Sequence, residues 1–286
     1  MQEKKRSLFI VIPARFGSTR LPAKPLLKLG SKSMIVHVVE RAQTLVAKFS
    51  AHPEIEKVSL IVATDHSDIF AEALAAGAEP VMTPSHLRNG SERAFVALQS
   101  LKQTHSIGDN DLILNIQGDE PFFSVEDVSH LITEMLTRGG VSLGTLATSS
   151  RDPKLFFSSS IVKVVRNSRK IALYFSRAPI PYPVGQLGNS GEDWINKLTD
   201  LLQDKDAVLE NAFLHHIGVY LFRYGALVKY ASELSFGTLE RRESLEQLRA
   251  LEAGWQILVE DATHPPFGID TPSDLERART LHQLKN

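Results

Sequence analysis

Four short apolar runs, each followed by a segment of helical periodicity, constrain the fold of this chain more than any other feature. "SLFIVI" (7–12) is apolar almost without interruption, as expected of a strand covered on both faces. "MIVHVVERAQTLVAKF" then places apolar residues at helical spacing. The pattern repeats as "VSLIVAT" and "HSDIFAEALAAGA", "EPVMT" and "SERAFVALQSLK", "DLILNIQ" and "VEDVSHLITEML". Ser124 and Asp127 are spaced as a capping box at the start of the last of these helices. Strands alternating with helices predict an α/β fold built on a mainly parallel sheet with helices on both faces.

After about Gly140 the rhythm changes. "VSLGTLAT", "IVKVVRN" and "IALYFSR" are strand-like with little helix between them, which predicts antiparallel additions in the second half. "GQLGNSGEDWINKLTDLLQDKD" is polar, contains glycine and reads as an irregular surface excursion. "LHHIGVYLFRYGALVKYA" returns to an apolar pattern, "LERRESLEQLRALEAG" reads as one charged helix stopped by Gly254, and "WQILVE" as a late strand. In "DTPSDLERARTLHQL", Thr271 is placed to cap a final helix, with Pro272 at its first position and Asp274 three after the cap. No repeat or linker divides the chain, so residues 1–286 read as one domain, with a strand-rich subregion at about 141–235.

Charge narrows the function. Lys and Arg number 32 against 33 Asp and Glu, a balance that argues against a general nucleic-acid binder. No apolar segment is long enough to span a bilayer, and the basic start before "LFIVI" is cut short by Pro13 and Arg15 rather than continuing as a signal peptide. The absence of cysteine removes a thiolate nucleophile and cysteine-ligated zinc, and fits a reducing, cytoplasmic setting. Against this neutral background one loop stands out. From Lys4 to Val39 there is no acidic residue, while "VIPARFGSTRLPAKPL" carries Arg15, Arg20 and Lys24 just past the first strand. Ligands of parallel sheets collect at the carboxyl ends of strands. The loop has neither a dinucleotide fingerprint nor a P-loop. Arg15 and Lys24 are therefore read as distributed cations for an extended polyphosphate, against the alternative of a solvated basic loop.

"NIQGDEP" places Asp119 just beyond another strand, where a carboxylate suits Mg²⁺; a simple turn is the competing reading, and it leaves Gln117 unexplained. Asp270 in "FGIDTP" either assists the final helix or does something else, since Thr271 already fills the cap. Arg177 in "ALYFSRAPIP" suits a ligand carboxylate, whereas His216 reads by default as a satisfied core residue and Glu246 with Gln247 as a solvated helix face. There is no nucleophile elbow and no H-E-x-x-H.

Taken in order, "IPARFGSTRLPAKPL", "MIVHVVERA", "VATD", "NGSER", "NIQGDEP", "ALYFSRAPIP", "HHIGVY", "LEQLRALEAG" and "GIDTPSDLE" resemble the 3-deoxy-manno-octulosonate cytidylyltransferases, the CMP-Kdo synthetases that activate Kdo for lipopolysaccharide. The likeness runs from about Leu8 to Leu281. It implies a nucleotide-diphospho-sugar transferase-like fold, a homodimer built on the strand-rich subregion, CTP and Kdo as substrates, and Mg²⁺. By position, it implies that Pro13, Ala14 and Arg15 border the nucleoside, that Arg15 and Lys24 hold the triphosphate with Arg20 close by, and that Ser91 belongs to the CTP side. Asp119 and Asp270 would hold the metal, and Gln117, Arg177, His216, Tyr220, Glu246 and Gln247 would line the sugar side, with Lys24, Asp119 and Asp270 carrying catalysis. The chain departs from the family at Ala23, where glycine is usual, and at Asn89-Gly90-Ser91, where Ser-Gly-Thr is usual. A related enzyme for another acid sugar (8-amino-Kdo or a sialic acid) and a non-catalytic nucleotide or sugar binder are the alternatives.

Overall fold

The computed structural model describes residues 5–17, 21–187, 193–203, 212–265 and 267–285. Arg20 and most of the connections flanking the helix inside the 185–210 excursion lie outside them. In chain order the strands are β1 (Arg6–Ala14), β2 (Lys28–Leu29), β3 (Lys32–Ser33), β4 (Ile55–Thr64), β5 (Glu79–Met82), β6 (Leu112–Asn115), β7 (Leu143–Ser150), β8 (Lys163–Arg166), β9 (Ala172–Ser176), β10 (Phe213–Arg223) and β11 (Ile257–Ala262). The helices are α1 (Met34–Ser50), α2 (Ser67–Ala75), α3 (Gly90–Leu101), α4 (Val125–Thr137), α5 (Pro153–Phe157), α6 (Val184–Leu187), α7 (Trp194–Gln203), α8 (Tyr224–Ser232), α9 (Thr238–Glu243), α10 (Gln247–Glu252) and α11 (Pro272–Lys285).

The main sheet runs β11-β7-β10-β6-β1-β4-β5. Strands β6, β1, β4 and β5 are mutually parallel, as the alternating pattern predicts. The apolar run of β1 serves both faces. Leu8, Ile10 and Ile12 enter the core shared with α1, α2 and α4, while Phe9 and Val11 enter the one shared with α3 and α8. All five are at most 1% exposed, which explains why the run carries no polar alternation.

The antiparallel additions fall in the second half, as the sequence pattern predicts, and one of them reaches the middle of the sheet. β10 is inserted in the middle of the sheet, antiparallel to β6 and to β7. β7, and β11 beside it, therefore run in the same direction as β6. β8 and β9 form an antiparallel branch from β10. The consequence is functional: the carboxyl ends of β1, β4, β6 and β11 share one edge, so the loop after β11 arrives beside the loops after β1 and β6.

Two expectations are corrected. The excursion carries an amphipathic helix, α7, whose Leu198 and Leu202 pack with Phe156, Leu187 and Phe213 in a small separate core. Its apolar residues recur at helical spacing, and the surrounding glycines and charges mask the signal. The charged helix is two short ones, α9 and α10, broken where Ser244 takes a left-handed φ of 53°. Its charges are only partly solvated: Arg241 and Arg242 are exposed, but Arg249 is buried, bonded through Nε and Nη2 to Glu240 at 2.7 Å. The N-terminal signals hold. Ser124 caps α4, and Thr271 and Asp274 exchange both capping-box hydrogen bonds at the start of α11. Among the described residues no helix is long and apolar enough to cross a membrane.

Candidate active site

A cleft of about 380 Å³ opens at the shared carboxyl edge. Its floor forms where two loops are forced together. Gly118 donates its backbone N–H to the Pro13 carbonyl at 3.2 Å. A Cβ on Gly118 would sit 3.0 Å from that oxygen and 3.2 Å from the Ala14 Cβ, so any larger residue would push the two loops slightly apart. Gly90, at the start of α3, packs as closely against Gln117.

One wall is cationic. Arg15, Lys24, Arg88 and Arg93 all line it. Asp65 anchors it by accepting from Arg93 Nη2 at 3.3 Å and from the Phe16 N–H at 2.8 Å, while Arg93 Nη1 donates to Thr83 Oγ1 at 2.6 Å. Burial lowers the Arg93 pKa and the adjacent Arg15 adds to this, with Asp65 acting in the other direction. Two guanidiniums held side by side against their repulsion form a site for an anion. Sequence reasoning passed over Arg88 and Arg93; the available signal was their position astride the Asn89 cap of a helix that follows a strand end.

At the mouth stands Lys24, whose Nζ donates to Asp119 Oδ2 at 2.5 Å and Asp270 Oδ1 at 2.9 Å. These partners are 95 and 246 residues away along the chain. Burial opposes the ammonium charge, but the two carboxylates outweigh it and hold the Lys24 pKa above its ordinary value. Ala23, the residue before it, occupies the left-handed region with φ 53°. That conformation favours glycine, so alanine is strained there, immediately before Lys24. Beside Asp119, the Glu120 carboxyl is pushed up to about 7, by burial first and then by Asp119 and Asp270.

Gly218, Tyr220 and Glu246 also line the cleft. Tyr220 donates its hydroxyl to Gln247 Oε1 at 3.0 Å, while Gln247 Nε2 and Glu246 Oε2 are buried with no hydrogen-bond partner among the described residues. Ser91 is fully buried close to Glu246 and does not itself line the cleft. Burial raises the Glu246 pKa to about 7, against the lowering effect of Ser91. The linkage has a definite sign. A carboxyl whose pKa is higher folded than unfolded contributes stability below the unfolded value, and that contribution is lost as pH rises through about 7. Glu246→Gln should therefore raise the thermal midpoint at pH 8 and leave it nearly unchanged near pH 4.5. Equal midpoints of variant and parent at pH 8 would refute a strained Glu246.

Pro13, Ala14, Arg15, Lys24, Gln117, Asp119, Tyr220, Glu246 and Asp270 thus meet at one cleft. Arg20 lies outside the described residues, and four expected residues do not line the cleft: Ser91, Gln247, Arg177 and His216. Arg177 donates to the backbone carbonyls of Glu243 (2.7 Å), Ser159 (2.9 Å) and Ser244 (3.5 Å) and holds the end of α9. His216 is buried behind Tyr220. Burial, with His215 adding, takes its pKa down to about 3, so the ring is neutral.

A mainly parallel sheet that brings these cations and two carboxylates to one carboxyl edge fits a nucleotidyltransferase, an enzyme that works on a nucleoside triphosphate. The cytidylyltransferase family profile matches residues 9–285, and the chain belongs to that family. It is 37% identical to the 3-deoxy-manno-octulosonate cytidylyltransferase of Pasteurella multocida (strain Pm70), over 95% of this chain and 97% of that one. It is 38% identical to the same-named protein of Actinobacillus pleuropneumoniae serotype 7 (strain AP76), over 95% and 98%. A solved CMP:2-keto-3-deoxy-manno-octonic acid synthetase complexed with CTP superposes with a TM-score of 0.75 at 35% identity, covering 98% of this chain and all of that one. Within the family, the chain groups with these 3-deoxy-manno-octulosonate cytidylyltransferases.

Proposed function

We propose that the protein transfers CMP from CTP to the anomeric hydroxyl of Kdo and releases pyrophosphate. The observation that carries this reading is Lys24 set between Asp119 and Asp270 in a cleft that Arg15, Arg88 and Arg93 also line, together with Tyr220 and Glu246. The triphosphate belongs against Arg15, Arg88, Arg93 and Lys24, where its charge is neutralised. The hydroxyl-rich sugar belongs against Tyr220 and Glu246. Little covalent work falls to the protein: it aligns the sugar hydroxyl with the α-phosphorus and stabilises the charge that grows on the leaving phosphates.

Mg²⁺ fits the residues at the cleft mouth. Oxygens of Asp119 and Asp270 already converge on a single ammonium, and two carboxylates completed by phosphate oxygens are a usual Mg²⁺ ligand set. No group of three or more such side chains occurs among the described residues, so the substrate would supply the remaining ligands. Bound there, the ion would withdraw electrons from the phosphoryl oxygens and lower the pKa of the attacking hydroxyl.

Glu246 favours a second reading. Its partnerless buried oxygen suits a substrate with an extra donor, such as the ammonium of 8-amino-Kdo. Pyrophosphate release from CTP across Kdo, 8-amino-Kdo and a sialic acid separates the readings; no release with any of them would overturn both. A homodimer belongs to the same proposal, supported by Leu173 on β9, exposed by 59% at the edge of the strand-rich branch, with Val184 and Ile195 also exposed. Light scattering that returned the mass of one chain would exclude it.

A further inference from the structure

β10 does not run evenly past β7. Ile217 lies opposite Leu146, yet Thr145, the next residue on β7, lies opposite Tyr220. Gly218 and Val219 are therefore inserted as a bulge. β10 pairs with β6 only from Tyr220 onward, so the bulge overhangs the end of β6 and puts Gly218 on the cleft wall. Bulges beside active sites commonly re-aim side chains. A Cβ on Gly218 would meet no atom of the described residues within 4 Å, so none of them fills the space that the bulge opens.

One fully buried hydroxyl gathers the bulge. Thr145 Oγ1 lies 2.7 Å from the Val219 carbonyl, 3.1 Å from the Ile217 carbonyl and 2.9 Å from His216 Nε2. Proton counting settles the arrangement. The hydroxyl has one hydrogen, and carbonyls can only accept. If that hydrogen went to His216, two carbonyl oxygens would face the Thr145 oxygen with no proton between them. Thr145 therefore donates to the nearer carbonyl, Val219, and His216 donates from Nε2–H. The ring is neutral, so Nδ1 is left as its acceptor.

We infer that Thr145 is a positioning residue for the reaction. Its hydroxyl holds the β10 bulge that sets Gly218 and Tyr220 against the substrate, and it fixes His216 as the Nε2–H tautomer. Thr145 does not line the cleft and acts only through β10.

Thr145→Val keeps the shape and removes the hydroxyl, leaving the carbonyls and the imidazole without a shared partner. With far-UV circular dichroism confirming the fold, its KM for the acid sugar should rise about tenfold, the consequence of leaving a buried hydrogen-bonding group unpaired. KM for CTP should stay close to that of the parent, because the cationic wall is untouched, and Thr145→Ser should restore the sugar KM. Nitrogen–proton correlation spectra of isotope-labelled histidine should show His216 as Nε2–H in the parent and in Thr145→Ser, and altered in Thr145→Val. Parent-like sugar KM in a folded Thr145→Val protein, or an Nδ1–H tautomer in the parent, would overturn the inference. The kinetic arm rests on the reaction proposed above and the spectroscopic arm does not. A parent protein that turned over no acid sugar would defeat that reaction alone, and the His216 tautomer would still decide for or against Thr145.

Discussion

Asp119→Asn and Asp270→Asn should each reduce turnover by about a thousandfold or more, the loss expected when several kcal/mol of charge stabilisation by a bound metal disappears. An amide matches a carboxylate in shape but brings no charge to a hard cation. Folding should survive either change, because Lys24 keeps its other carboxylate and the side chains of Asp119 and Asp270 are 32% and 46% exposed. The double variant is different: burial would act on Lys24 unopposed and its pKa should fall below the ordinary lysine value. Chelator should abolish the parent's activity and Mg²⁺ restore it. Near-parental pyrophosphate release by either single variant would sink the two-carboxylate site.

Lys24→Met should lower kcat/KM for CTP by about tenfold to a hundredfold, as expected for a charged contact worth about 1.5–3 kcal/mol. Two effects add. The triphosphate loses a cation, and Asp119 and Asp270 lose the charge that separates them. Lys24→Arg should rescue poorly, since a planar guanidinium is a poor substitute for a compact ammonium between two carboxylates. KM for the sugar should move little, because the partners of Lys24 are Asp119 and Asp270 rather than Tyr220 or Glu246. A Lys24→Met protein with parental kinetics toward CTP would show that the basic loop serves some other end.

Much of this site could be read along the chain, and the reason is locality. A strand buried on both faces, as β1 is, must be apolar at every position, and an amphipathic helix must repeat every three to four residues. Capping at Ser124 and Thr271 is settled within four residues. An acid-free basic loop at a strand end is visible without knowing which strand lies beside it. The family resemblance carried the rest of the residue list, including Glu246, whose local setting points instead to a solvated helix.

What only the tertiary structure decided depends on strand order and direction. Lys24 meets Asp270 across 246 residues because β11 runs with β6 rather than against it, and no local period encodes that. Arg249 is buried and Glu246 half-buried because Ser244 breaks the helix and redirects α10. Arg177 has the composition of a ligand clamp, but three backbone carbonyls claim its guanidinium. Thr145 looks like any threonine in a strand until the bulge in β10 places two carbonyls and an imidazole around its hydroxyl. By itself the sequence determined most of the strands and helices, though not α7 or the break between α9 and α10, and where the cationic loop lies, because those depend on neighbours in the chain. The partner of each charge was decided in space, where burial makes an unpaired polar group costly and so selects which distant residues must meet.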